Sequence, residues 1–264
     1  MKPDRISFDV TVAHPARIYD YWLGGKDNFA ADRQVAEEVL TVMPVMGRVA
    51  RANRMFLTTA VNYLVSEAGI RQFLDIGTGL PTASNTHEVA QRAAPQARIV
   101  YVDNDPIVLS HAKVLLTSSP EGRCEYIDAD ARDTGTILAR AAQTLDFAEP
   151  VAIMLLGLLH FIPGSDDPAA LVQRYMSAMP SGSYLAISHA SSDISADVVA
   201  AGTRSYNAGA AVTITPRSRE EITRFFAGLE LIPPGVAPLG QWAPGAAVTR
   251  PASLPTWTGV ARKP

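Results

Sequence analysis

Two apolar runs, each ending in residues suited to a ligand, constrain this chain more than any other feature. Phe73-Leu74-Asp75-Ile76-Gly77-Thr78-Gly79-Leu80-Pro81-Thr82 reads as a strand running into two glycines, and Ile99-Val100-Tyr101-Val102-Asp103 as a second strand ending in a carboxylate. Glycine lets the backbone turn sharply and approach a ligand with no β-carbon in the way, and an acid about 20 residues beyond such a turn is placed to bind ribose hydroxyls. The pair outlines a nucleoside pocket.

The rest of the chain alternates strands with helices, as a parallel sheet covered by helices requires. Helices are predicted over 32–43 and 50–67, the second ended by Gly69, and the first strand over 71–76. A helix opening near Pro81 runs through His87 to Ala94, and Asp105-Pro106 starts another that reaches Leu116. Further helices are predicted over 133–143, 167–179 and 217–228, the last with Ser218 and Glu221 at capping-box spacing. Every motif singled out falls at the carboxyl end of a strand, where open α/β sheets bind ligands.

A dinucleotide needs a third small residue where the helix opens, and this chain has Thr82 there, behind Pro81, which counts against NAD and a nicotinamide oxidoreductase. With Asp75 before it and Val102-Asp103 after it, the Gly-x-Gly turn instead resembles motif I and the acidic loop of class I S-adenosylmethionine (SAM) methyltransferases. Further segments extend the resemblance: Arg123 to Arg132 with its Asp-Ala turn, Val151 to Leu156 followed by Gly157-Leu-Leu-His160-Phe161, Met179 to Ser188, and Leu229 to Val236 with Trp257 to Arg262. The stretches His14 to Phe29, Arg51-Ala-Asn53-Arg54 and Val102-Asp-Asn-Asp-Pro106 resemble a bacterial family of SAM methyltransferases formerly catalogued as a domain of unknown function.

The resemblance implies a Rossmann-like α/β fold with a mostly parallel seven-stranded sheet, helices on both faces and an antiparallel C-terminal hairpin. It implies one domain over 1–264, with an N-terminal helical lid over 1–68 and the core over 69–264. The cofactor implied is SAM, leaving S-adenosylhomocysteine (SAH) as product.

In that frame Gly77, Thr78 and Gly79 form the cofactor turn, and Asp75 holds the loop and the amino-acid end of SAM or merely caps the turn. Asp103 grips both ribose hydroxyls, since a carboxylate accepts two hydrogen bonds from a vicinal diol. Asn104 lies along the adenine edge or serves the turn alone, and Asp105 caps its own helix. Asp130 and the amide of Ala131 face adenine, with Asp128 as a rival to Asp130. Gly157 opens the loop that borders the methyl group. Tyr19, Tyr21 and Asn28, with Trp22, Gly24, Gly25 and Phe29, crowd aromatic, glycine and amide residues into a short span, which fits either a lid over the sulfonium or a helix pair using its aromatics as core.

Methyl transfer is an in-line displacement that needs alignment above all, and a base only where the acceptor must lose a proton. His160 is the candidate base, against a structural histidine, and His189 stands behind it. His14, His87 and His111 have no metal-ligand spacing, and no carboxylate cluster suggests a metal. Strand four ends in Leu155-Leu156-Gly157 rather than the Asn/Asp-Pro-Pro-Tyr/Phe loop of nucleic-acid amino methylases. The net charge of −3 and pI near 6.0 also disfavour a nucleic-acid partner. Arg48, Arg51 and Arg54, the one basic cluster, read as a solvated face or as partners of nearby acids. Elimination leaves a small molecule with an oxygen or nitrogen nucleophile as acceptor. The alternative is a SAM-binding regulator or interaction protein without transfer activity.

A single cysteine, Cys124, excludes an internal disulfide, and no signal-like or membrane-length apolar run is present, which points to the cytoplasm and to no membrane partner. The proline- and glycine-rich stretch 233–255 reads as a long connection between the last strands. Oligomeric state leaves no signal in the sequence.

Overall fold

The computed structural model describes residues 9–81, 84–115, 117–248 and 254–264, with the side chains of 112–115 excepted. Thr82, Leu116 and residues 249–253 of the long connection lie outside the described residues. Five parallel strands, β1 (Gln72–Ile76), β2 (Arg98–Asp103), β3 (Arg123–Asp128), β4 (Ala152–Leu156) and β5 (Tyr184–Ala190), build the centre of the sheet. The strand β8 (Thr256–Arg262) runs antiparallel to β5 and carries two short strands, β6 (Glu230–Leu231) and β7 (Ala237–Pro238), along its other edge. The order is β3-β2-β1-β4-β5-β8-β6. Seven strands were expected and eight are present, because Pro233 and Pro234 interrupt the run before β8 and split it into two pieces of two residues each.

Strands with a period of two send alternate residues to opposite faces, and here both faces are buried. Leu74, Ile76, Val100, Ile153 and Leu185 pack on one side against α6 (Thr134–Ala141), α7 (Pro168–Ser177) and α9 (Arg219–Arg224). Phe73, Ile99, Tyr101, Met154 and Ala186 pack on the other against α3 (Met46–Ser66) and α4 (Thr86–Ala93). Burying some 20 large side chains at about 1.5 to 3 kcal/mol each is the main term holding the sheet and its helices together. α5 (Pro106–Leu115) follows β2, with Asp105 Oδ1 accepting the Ile107 amide at 2.9 Å, the cap expected of it.

A third apolar cluster lies over the carboxyl ends of the strands. α1 (Pro15–Leu23), α2 (Ala30–Val42) and α8 (Ala196–Gly209) meet there through Ile18, Val35, Ala36, Val39, Met43, Val199 and Tyr206. α2 and α8 approach closely because α8 carries Gly202, where a β-carbon would collide with the Met43 sulfur, and Gly209, where it would lie 2.7 Å from Val35 Cγ2. α4 starts at Thr86 instead of near Pro81, since Asn85 and Glu88 form a capping box that sets the first turn.

Candidate functional site

The turn after β1 is fixed by β2. Gly77 and Thr78 donate backbone hydrogen bonds to the Val102 carbonyl at 2.8 and 3.2 Å, and Gly79 donates to Asp103 Oδ2 at 2.7 Å. Gly77 (φ +76°) and Gly79 (φ +66°) are both in the left-handed region. A β-carbon on Gly77 would also sit 2.8 Å from Leu158, so two strand-end loops touch at this glycine. Asp103 Oδ1 accepts the Asp105 amide at 3.0 Å. One amide on each oxygen holds the carboxylate rigid and leaves lone pairs for a ligand. Burial raises its pKa, and the two amide bonds work against that rise.

Asp75, on the α3/α4 face of β1, accepts a 2.6 Å bond from Thr86 Oγ1 at the start of α4. Burial pushes its pKa up to about 6, and Arg54 opposes the shift. Arg48 and Arg51 of the basic cluster are exposed, whereas Arg54 turns inward and donates to the Ser84 carbonyl at 2.7 Å. At the end of β3, Asp130 receives Arg132 through its amide, Nε and NH2, at 2.8, 2.9 and 2.6 Å, which holds the carboxyl below its ordinary value. Tyr175 OH donates to the Ala131 carbonyl at 2.7 Å and fixes the Asp-Ala turn from below.

After β4, Gly157 (φ +74°) leads into a short 3-10 turn over Leu159–Phe161 that presents His160. The ring stands edge-on to His189, 5.5 Å between centroids, and Nδ1 is buried with no hydrogen-bond partner. Burial first, then the His189 ring and Arg217, drive its pKa well below the ordinary value, so the imidazole is neutral. His189 is fully buried and its pKa falls to about 3. Its Nδ1 pairs with the Ala190 carbonyl at 2.8 Å while Nε2 faces Arg217 NH1 at 3.0 Å, which makes Nδ1 the protonated nitrogen. Arg217 also donates to the carbonyls of Leu159 and Ile162, at 2.9 and 2.7 Å, pinning the His160 turn to β5. Both ring nitrogens of His189 are thus taken up by partners within the protein.

The carboxyl ends of β1 to β5 and the loops that follow them border one cavity of about 300 Å³. Asp75, Gly77, Thr78, Gly79, Asp103, Asn104, Asp130, Ala131, Gly157, His160 and Tyr19 line it, whereas Asp128 does not. Tyr19 OH donates to the Ala50 carbonyl at 3.0 Å and accepts Asn53 Nδ2 at 3.2 Å. Tyr21 and Asn28 are not among its lining residues. Tyr21 OH donates to Glu37 at 2.8 Å, and Asn28 is buried against Asp20 and the Gly25 carbonyl at 2.8 and 3.0 Å. Tyr21 thus ties α1 to α2, and Asn28 stabilises the turn between them. Sequence reasoning missed α8 with its Tyr206, as well as Asn53, Ser188 and Arg217. The spacing of Val199, Gly202, Thr203 and Tyr206 is helical and would have revealed the first of these.

Among the described residues no three histidine, cysteine or acidic side chains gather as a metal site, and no helix is long and apolar enough to cross a membrane.

The whole chain, residues 1–264, matches the sequence model of the S-adenosyl methyltransferase family. The protein belongs to that family. It is similar to a solved DUF574-family protein of Streptomyces avermitilis, with 43% identity, TM-score 0.92, and coverage of 97% of this chain and 99% of that one. It also resembles a putative methyltransferase of Thermobifida fusca, with 39% identity, TM-score 0.87, and coverage of 97% and 96%. More distantly, the plantazolicin methyltransferase BpumL, solved with a triazolic desmethylPZN analog and SAH, shares the fold at 14% identity and TM-score 0.54, covering 94% of this chain and 96% of that one. No curated protein matches. The family's methyl donor is SAM, and the mixed sheet with its antiparallel C-terminal strands is the class I methyltransferase fold.

Proposed function

We propose that the protein transfers the methyl group of SAM to an oxygen or nitrogen nucleophile of a small molecule, in the cytoplasm and without nucleic acid. The observation that carries this reading is the continuity of one cavity from the Gly77–Gly79 turn and Asp103 to the His160 turn. A donor subsite and a reacting atom thus share one enclosed space.

The chemistry of the donor end fits SAM. Asp75, Asp103 and Asp130 bring three carboxylates to one end of the cavity, which suits a ligand with a sulfonium, an ammonium and a ribose diol. The open space at Gly79, where an added β-carbon would meet no atom within 4 Å, leaves room for the backbone to lie against it. Asp103 accepts the ribose hydroxyls, Asp75 serves the amino-acid end, and Asp130, the Ala131 amide and Asn104 border the adenine. Bound SAM supplies a methyl group on an electron-poor sulfonium carbon. The chain supplies alignment, a dry site under α1, α2 and α8 acting as a lid, and in His160 a neutral nitrogen to receive the acceptor's proton.

Calorimetric titration of ligand-free protein with SAM, SAH and NAD tests the reading. Saturable binding of the first two and none of NAD supports it; a folded sample that binds neither SAM nor SAH overturns it. Release of SAH in the presence of acceptors then separates an enzyme from a protein that only binds SAM.

A further inference from the structure

The cavity is sorted by charge. Its ionised lining groups, Arg54, Asp75, Asp103, Asp130 and Arg132, all lie at the glycine-turn end, and the arm under α2 and α8 contains no charged side chain. That arm is walled by Val39, Met43, Val199 and Ile214 and by a row of aromatic rings. Trp22 and Tyr206 are 6.5 Å apart between centroids, Tyr206 and Phe161 6.4 Å, and Phe161 and His160 4.4 Å. Three cavity-lining groups there are buried without a partner: Tyr206 OH, Ser188 Oγ and His160 Nδ1. An unpaired buried polar atom is destabilising, and a ligand's polar group would remove that cost.

We propose that this arm is the acceptor site and that it takes an uncharged, flat molecule bearing a phenol-type hydroxyl, with the hydroxyl at His160 Nδ1 and further polar substituents at Tyr206 OH and Ser188 Oγ. The proposal rests on the methyltransferase reading above. The nearest cation, Arg217, does not line the arm and is committed to the Leu159 and Ile162 carbonyls and to His189, so a carboxylate or an alkylammonium would enter the arm without a counter-charge in contact with it. Phenols are favoured over aliphatic alcohols because the rings of Trp22, Tyr206, Phe161 and His160 offer faces and edges against which a flat aromatic ring packs. In the transfer, the hydroxyl oxygen forms the new O–CH3 bond and the S–CH3 bond breaks with its electron pair remaining on sulfur. The hydroxyl proton passes to His160 Nδ1 and then to water, so a phenol and the sulfonium become a methyl ether, SAH and a proton.

The test uses 2-naphthol, 2-naphthoate, 2-naphthylmethylammonium and decahydro-2-naphthol. Each is titrated calorimetrically into protein saturated with SAH and then offered with SAM while SAH release is followed. The expected result is saturable 2-naphthol binding, at least 100-fold weaker binding of the two ions, and turnover of 2-naphthol at least 100-fold above that of the saturated alcohol. Thr203→Arg, which places a cation in the arm from the half-buried face of α8, should shift the preference toward 2-naphthoate by tenfold or more. Intact SAH binding with an ion bound as tightly as 2-naphthol, with no probe bound, or with the saturated alcohol turned over as fast overturns the acceptor assignment and leaves the methyltransferase reading standing. Loss of SAH binding in the unmutated protein overturns both.

Discussion

At the residue scale, two carboxylates near one turn are held in opposite ways. Asp103 is fixed by two amides and free to accept a diol, and Asp103→Ala should weaken SAM binding by roughly 1.5 to 3 kcal/mol with the fold intact, as read by calorimetry. Unchanged affinity would remove it from the ribose site. Asp75 sits ionised against a burial penalty. Its folded pKa of about 6 lies above the ordinary 3.8, so the folded state binds the extra proton and loses stability as pH rises from about 4 to about 6. At roughly 1.4 kcal/mol per unit, Asp75→Asn should make the ligand-free protein up to about 3 kcal/mol more stable in urea at pH 8 and no more stable at pH 4, while SAM binding falls. An equal effect at both pH values would mean that desolvation is not the cause. The glycines and acids were legible in the sequence because ligand turns demand particular residue types. Tyr21 and Asn28 carried the same composition signal and were captured by Glu37, Asp20 and Gly25 instead, since composition does not say which way a side chain faces.

At the element scale, the N-terminal helices are docked through one buried acid. Asp32 is fully buried and accepts the amides of His14 and Phe29, each at 2.8 Å, with Arg17 Nε 3.4 Å away. His14 is in turn 2.8 Å from Asp105 at the end of β2. Asp32→Ala leaves two amides without their acceptor and the buried Arg17 guanidinium without its counter-charge, a change that typically costs about 3 to 5 kcal/mol. It should release α1 selectively, so that amide exchange quickens over 15–23 while β1 to β5 stay protected. Exchange quickening throughout the sheet would show that the helices and core unfold as one unit. The helices over 30–42 and 46–66 were legible to within a few residues from periodicity and Gly69. α8 was passed over although Val199, Gly202, Thr203 and Tyr206 keep helical spacing, and its Gly202 and Gly209 serve close packing against Met43 and Val35.

At the scale of the whole molecule, the sheet order places every ligand-type loop at one end, and this much was readable from strands that end in glycine or acid. The split of the hairpin into β6 and β7 was not, since two-residue strands carry no period. A ligand that binds only the folded state stabilises it by about 2.7 kcal/mol at a hundredfold excess over its Kd. Saturating SAM should therefore raise the melting temperature by roughly 5 to 10 °C for a chain of this size, measured by scanning calorimetry.

The roof over the cavity has a consequence for how the chain is made. Its two halves come from distant stretches of sequence: Val42 ends α2 and Ala196 begins α8. At synthesis rates of roughly 5 to 20 residues per second, about 8 to 30 s separate their emergence from the ribosome. Throughout that interval Val35 and Met43, which lie against Gly209 and Gly202 of α8 in the finished protein, lack the α8 side of their packing. The pocket is thus completed late in biosynthesis, and until α8 arrives the nascent chain displays an apolar helix face of the kind that chaperones hold.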